Sequence, residues 1–144
     1  MFENAAFYAV LPASDLARAR SFWHDTFGID PVDDGFEEGD AEMFDVGGTR
    51  VLVYETQFAG TAKNTALNLV TDNLDRDMTA LRTHGVTFHD YDMPGFTTVD
   101  GVADFDGDRG AWFSDSEDNI IAISQPSPER LQMAMRMRAA AGSG

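Results

Sequence analysis

The chain has 144 residues, 43% of them hydrophobic with 11 phenylalanines, and a formal net charge of −15. That length and apolar content suit one domain, or two small modules sharing one core. The acidity argues against nucleic acid, which needs clustered Lys and Arg, and against an anionic membrane surface, while the lack of cysteine excludes disulfides, thiolate nucleophiles and Cys-zinc sites.

The start, Met1-Phe2-Glu3-Asn4, carries no basic stretch followed by an apolar one, and no apolar run approaches the roughly 20 residues that cross a bilayer. A cytoplasmic protein with no membrane partner is expected. Phe7 to Pro12 reads as a short strand. Ser14 or Asp15 caps a helix from Leu16 to Thr26, with Leu16, Ala19, Phe22, Trp23 and Phe27 on its buried face and Gly28 as its stop. Ile29 to Val32 resumes an extended chain. The acidic stretch Asp33 to Glu42 is a solvated loop with some strand near its end. Met43 to Val46, the Gly47-Gly48 turn and Arg50 to Glu55 form a β-hairpin.

Polar residues from Thr56 to Asn64 link to a second unit. Its first strand runs from Thr65 to Thr71 and its helix from Leu74 to Thr83, with Leu74, Met78 and Leu81 inward and Gly85 as the stop. Val86 to Phe88 is the next strand. Pro94-Gly95 marks a turn within Tyr91 to Asp100, and Val102 to Phe105 pairs with Gly110 to Ser114 around Asp106-Gly107-Asp108. Ile120 to Ser124 is the last strand. After Pro126 and Pro128, Glu129 to Ala140 is helical, with Leu131/Met135 and Met133/Met137 as i,i+4 pairs suited to docking on this protein or its twin.

The two units are near-repeats. Asp15-Leu16-Ala17-Arg18, on to Phe27-Gly28-Ile29, is echoed by Asn73-Leu74-Asp75-Arg76, on to His84-Gly85-Val86. Near the end, Trp112-Phe113-Ser114-Asp115-Ser116-Glu117-Asp118-Asn119 is similar to a Phe-x-Asp-Pro-Asp-Gly-Asn turn, with Ser116, Glu117 and Asp118 replacing Pro, Asp and Gly. Together with Leu11 to Trp23, these segments resemble the vicinal oxygen chelate superfamily, which includes glyoxalase, bleomycin-resistance proteins and extradiol dioxygenases. The resemblance spans about residues 5 to 125. It implies an α+β fold of two βαβββ modules, at about 5–58 and 65–125, forming a curled mixed sheet around a central cavity, often in a homodimer. Residues 126–144 would be a C-terminal helical tail.

Metal-dependent members place His or Gln on the first strand of a module and Glu on its last. Carried over, those places fall at Tyr8, at Ala66 or Asn68, at Ala122, and near Leu52 to Glu55, where only Glu55 is a good ligand. Tyrosine and alanine cannot assemble a three- or four-donor shell. No metal and no cofactor are expected. His24, His84 and His89 show no paired spacing. Asp104, Asp106 and Asp108 alternate as in a calcium loop, but Arg109 and Asp115 stand where Gly and Glu are needed; a hairpin turn fits better. No Gly-x-Ser-x-Gly or phosphate loop occurs.

With those places filled by Tyr8, Ala66 and Ala122, the cavity would be apolar and aromatic. Tyr8, Tyr54, Asn68, Phe96 and Trp112 are the candidate ligand-binding residues, and a small apolar or cationic molecule is the expected ligand. Tyr91 to Gly95 could cover it as a lid, although a plain surface loop is the simpler reading. The first functional reading is a metal-free binding protein. The alternatives are a lyase, isomerase or dioxygenase with a shifted metal site recruiting Glu55, His89 and Asp90, and an accessory protein with a vestigial pocket that works through its Met-rich tail. The residues leave catalysis undecided.

Overall fold

Asp15 and Asn73 open the first two helices in the same way: each side chain accepts from the backbone N–H three residues on, at Arg18 and Arg76, both at 3.0 Å. The computed structural model describes residues 1–33 and 41–142; most of the acidic stretch from Asp33 to Glu42 lies outside them. Strand β1 (Ala9–Ala13) leads to α1 (Leu16–Phe22), which continues as a π-helical turn over Trp23–Phe27 and stops at Gly28, held at φ 69°. Strands β2 (Ala41–Val46) and β3 (Thr49–Glu55) form the hairpin expected around Gly47-Gly48. The second unit comprises β4 (Thr65–Val70), α2 (Leu74–Thr83), the two-residue strands β5 (Asp92–Met93) and β6 (Phe96–Thr97), then β7 (Ala103–Phe105), β8 (Asp108–Ser114) and β9 (Ile120–Gln125). The last helix, α3, runs Pro128–Gly142.

The repeat is visible in the pairing. One sheet has the order β1-β3-β2 and the other β4-β9-β8-β7. In both, the first strand of the unit lies parallel to its last, β1 on β3 and β4 on β9, and an antiparallel strand follows. Single bridges extend each ladder, Val32 to Met43 and Phe88 to Phe113. The expected strand over Val86 to Phe88 is thus reduced to one bridge, and the first strand begins at Ala9 rather than Phe7. The molecule is α+β with a C-terminal helix, as expected.

One face of each sheet packs on a shared core. Leu11, Ala13, Val51 and Val53 of the first sheet join Ala111, Phe113, Ile121 and Ile123 of the second, with the inner faces of both helices between them. Trp23 stacks on Phe44 with ring centroids 4.4 Å apart. Phe113 touches Phe27 of the first unit and Phe88 of its own, edge to face at 6.2 and 5.6 Å. The other face of each sheet is open. Val10 and Tyr54 on the first, and Asn68 and Val70 on the second, are exposed and each follows a more buried residue, in keeping with the period-2 alternation of a strand.

Close approach at Gly101 ties down the segment after β6. Its φ is 81°, and a Cβ there would stand 2.9 Å from the Phe88 Cβ. Gly101→Ala should therefore lose about 2 kcal/mol of stability in a urea melt, from backbone strain plus the clash. A variant as stable as the parent would contradict this packing.

Candidate functional site

The second sheet carries the site. In register across it lie Asn68 on β4, Ala122 on β9 and Trp112 on β8. All three point to the open face, opposite Leu67, Leu69, Ile121, Ile123, Ala111 and Phe113 on the core side. Around Trp112 the aromatics gather. Phe96 meets its ring at 5.1 Å and Tyr91 at 6.0 Å, Tyr91 and Phe96 lie 5.2 Å apart, and Phe105 stacks on Phe96 at 5.8 Å. The indole N–H donates to Thr65 Oγ1 at 3.2 Å, which sets the ring's orientation. The segment from Tyr91 to Gly95 is no loose loop: β5 and β6 pair as a short hairpin that presents Phe96.

That hairpin is anchored at its base. The Asp90 carboxylate accepts from Thr98 Oγ1 at 3.0 Å and from the Gly101 N–H at 2.9 Å, and the Tyr91 N–H donates to Thr98 Oγ1 at 2.8 Å. Asp90 is thus committed to holding the backbone. Beside it, His89 bridges two hydroxyls: Nδ1 lies 3.0 Å from Tyr91 Oη and Nε2 lies 3.1 Å from Ser114 Oγ. This Ser114–His89–Tyr91 chain forms a polar edge to the aromatic patch, and a cleft of about 480 Å³ opens next to it, flanked by His84, Thr87 and Ser116. The chain was not foreseen. Its signal was available in the period-2 spacing of His89 with Tyr91 and of Trp112 with Ser114; what joins the pairs is strand register across 25 residues.

The remaining candidates sit apart. Tyr8, just before β1, and Tyr54, on the open face of the first sheet opposite Pro12 and Ala41, are both about half exposed. Among the described residues no ring contact or hydrogen bond joins either tyrosine to the Trp112 group. His24 pairs with Asp30 at 2.7 Å on the surface, which raises its pKa. His84 closes α2, with Nδ1 2.8 Å from the Ala80 carbonyl oxygen. Asp104 accepts from the Gly107 N–H at 2.9 Å, and Asp108 pairs with Arg130. The first is the contact of a hairpin turn and the second ties β8 to α3.

The family's metal places do not fit a metal here. Ala66 and Ala122 have no donor, and Asn68 Oδ1 accepts from Ser124 Oγ at 3.1 Å. Glu55 is committed elsewhere. Its carboxylate accepts from the Leu16 N–H at the start of α1 at 3.3 Å, just as Gln125 Oε1 accepts from the Leu74 N–H at the start of α2 at 2.8 Å. Residues 55 and 125 are the same position in the two units, with Glu55 opposite Ala13 and Gln125 just past the Val70–Ser124 pair. Both satisfy an orphan N–H of a first helical turn. Glu55, His89 and Asp90 are therefore not brought together. Among the described residues no three His, Asp or Glu side chains converge as metal donors.

The turn after β8 holds the units together. Glu117, its side chain 1% exposed, accepts from the Ser14 and Asp15 N–H groups, both at 2.9 Å, and from Arg18 Nε and Nη2 at 2.8 and 3.0 Å. Burial works to raise its pKa, but these donors, with Ser116 Oγ, outweigh it and hold the carboxyl at about 2. Asp115 accepts from the N–H groups of Glu117 and Asn119 and from Asn119 Nδ2, which also donates to the Pro12 carbonyl at 3.0 Å. Burial nonetheless raises the Asp115 pKa. Asp118 stands at φ 61°, where the related turn carries glycine.

The family model described as Glyoxalase/Bleomycin resistance protein/Dioxygenase superfamily matches residues 6–123. The chain belongs to this superfamily. Solved structures of the superfamily fold agree. A glyoxalase/bleomycin resistance protein/dioxygenase from Alicyclobacillus acidocaldarius has 14% identity over 89% of this chain and 96% of its own, with a TM-score of 0.66. The fosfomycin resistance protein of Listeria monocytogenes has 13% identity over 89% and 98%, with a TM-score of 0.65. An antibiotic binding protein from Streptomyces sp. CB03234 has 25% identity over 86% and 98%, with a TM-score of 0.58. No match was found among curated proteins. Among the described residues, no helix of this superfamily member is long and apolar enough to cross a membrane.

Proposed function

We propose that this chain is a metal-free binding protein for small, flat, apolar or cationic molecules. The observation that carries the reading is the row Asn68–Ala122–Trp112 with Phe96 and Tyr91 around it: aromatic surface stands beside Ala122, a place where metal-dependent relatives need a donor and this chain has none. A planar cation would stack on Trp112, gain cation–π attraction, and be steered by the net charge of −15. The Ser114–His89–Tyr91 chain would receive a polar group at the ligand's edge. The likeness to an antibiotic binding protein supports the same reading.

The open face of one sheet is half a container. In a homodimer in the cytoplasm, Tyr8 and Tyr54 from the first unit of one copy would close over Trp112 and Phe96 of the other. The modules would be residues 5–58 and 65–125, with 126–144 as a tail outside the binding domain.

Calorimetric titration with the planar cation proflavine tests this. The expected result is saturable binding that Trp112→Ala weakens at least about 10-fold, or about 1.4 kcal/mol. Equal affinity in the variant would remove Trp112 from the site and the reading with it.

A further inference from the structure

A second cleft, of about 670 Å³, lies between α3, the β2–β3 turn and the edge of β4. Its walls are mostly apolar: Val46, Leu67, Leu69 and Met135 line it, with Met137 at the helix side, and Thr49 and Asn68 add polar groups at its rim. The volume falls within the roughly 300–1,000 Å³ of small-molecule sites. Arg138 also lines it. Among the described residues no carboxylate lies within ion-pair distance of Arg138, nor of Arg82 or Arg136, whereas Arg18, Arg20, Arg50, Arg76, Arg109 and Arg130 each have one; of the three unpaired arginines, Arg138 is the one that lines this cleft. The Arg138 side chain rests against Gly47, where a Cβ would come within 2.9 Å of its Nε. Gly47 thus leaves the space that lets the exposed Arg138 side chain lie along the edge of the cleft.

We infer that this cleft binds a small amphiphile with a carboxylate head, its hydrocarbon part between α3 and β4 and its head on Arg138. An unpaired guanidinium offers a planar pair of donors that a carboxylate fits, and the apolar walls supply the burial. In a chain with 25 acidic and 10 basic residues, a cation without an acidic partner at an apolar cleft selects the opposite charge from the one favoured at Trp112. The inference does not rest on the aromatic site, and the two ligand classes separate them.

The probe is 11-(dansylamino)undecanoate, read by its emission on titration with the full chain. Saturable binding is expected, competed by laurate, weakened at least about 10-fold by Arg138→Gln and also weakened by Met135→Glu, which places a like charge in the cleft. Trp112→Ala should leave it unchanged. The inference is overturned if no saturable binding is seen, if Arg138→Gln binds as tightly as the parent, or if Trp112→Ala abolishes binding, since the probe would then sit on the aromatic face.

Discussion

Phe113→Ala should destabilise the protein by about 3–5 kcal/mol, the range for deleting a fully buried phenylalanine. Phe113 is 0% exposed and is the ring through which the two units meet. Removing it takes away contact with Phe27 of the first unit and Phe88 of the second at once. It also empties the space between two sheets whose backbones are fixed by their ladders, so collapse around the void is limited. The check is urea unfolding followed by far-UV circular dichroism, where the midpoint should fall with the slope nearly unchanged. A loss below about 1 kcal/mol would mean that the units do not share this core.

Loss of the Glu117 clamp should come next in size. Glu117→Gln keeps the shape but removes the charge that Arg18 and two helix-start N–H groups address, at an expected cost of about 2–4 kcal/mol at pH 7. Arg18 is half exposed and can return to water, which keeps the loss below that of a fully buried pair. The same carboxyl gives a pH signature. Its pKa falls on folding from an ordinary 4.5 to about 2, so its stabilisation is complete above pH 4.5 and disappears as pH drops towards 2. At about 1.4 kcal/mol for each pH unit, that is about 3 kcal/mol. Asp115 acts with the opposite sign, because burial raises its pKa and folding is favoured when it is protonated. Subtracting the Glu117→Gln stability curve from the parent curve removes the burial contribution of Asp115, which dominates its shift, and leaves only the smaller part that the Glu117 charge adds to it. The difference should be flat above pH 5 and shrink between about 4.5 and 2; a difference that stays constant to pH 2 would contradict the clamp.

Local signals carried much of the fold. The α2 boundaries, Leu74–Thr83, follow from Asn73 as cap and Gly85 as stop, and the β2–β3 hairpin from Gly47-Gly48 between alternating residues. The repeat indicated that both units share one plan, and the parallel first and last strands of each sheet are that plan. What local signals could not give is any feature fixed by pairing between distant strands. Val86 to Phe88 has a strand composition but finds a ladder partner only at Phe113. Glu117 reaches Arg18 across 99 residues, and His89 reaches Ser114 across 25. At the site, period-2 alternation placed Asn68, Ala122 and Trp112 on faces but not in one row; the register did that. Tyr8 and Tyr54 share their aromatic character with Trp112, yet they belong to the other unit, Tyr54 on its sheet and Tyr8 just before it, a separation that composition does not encode.

The most direct measurement is metal content by elemental mass spectrometry, on protein purified without chelator or affinity nickel. The account predicts less than about a tenth of an ion per chain, because Ala66, Ala122 and the committed Glu55 leave no donor shell to retain one. Zinc, iron, manganese or nickel near one ion per chain would contradict it and place this protein among the metal-dependent enzymes of its superfamily.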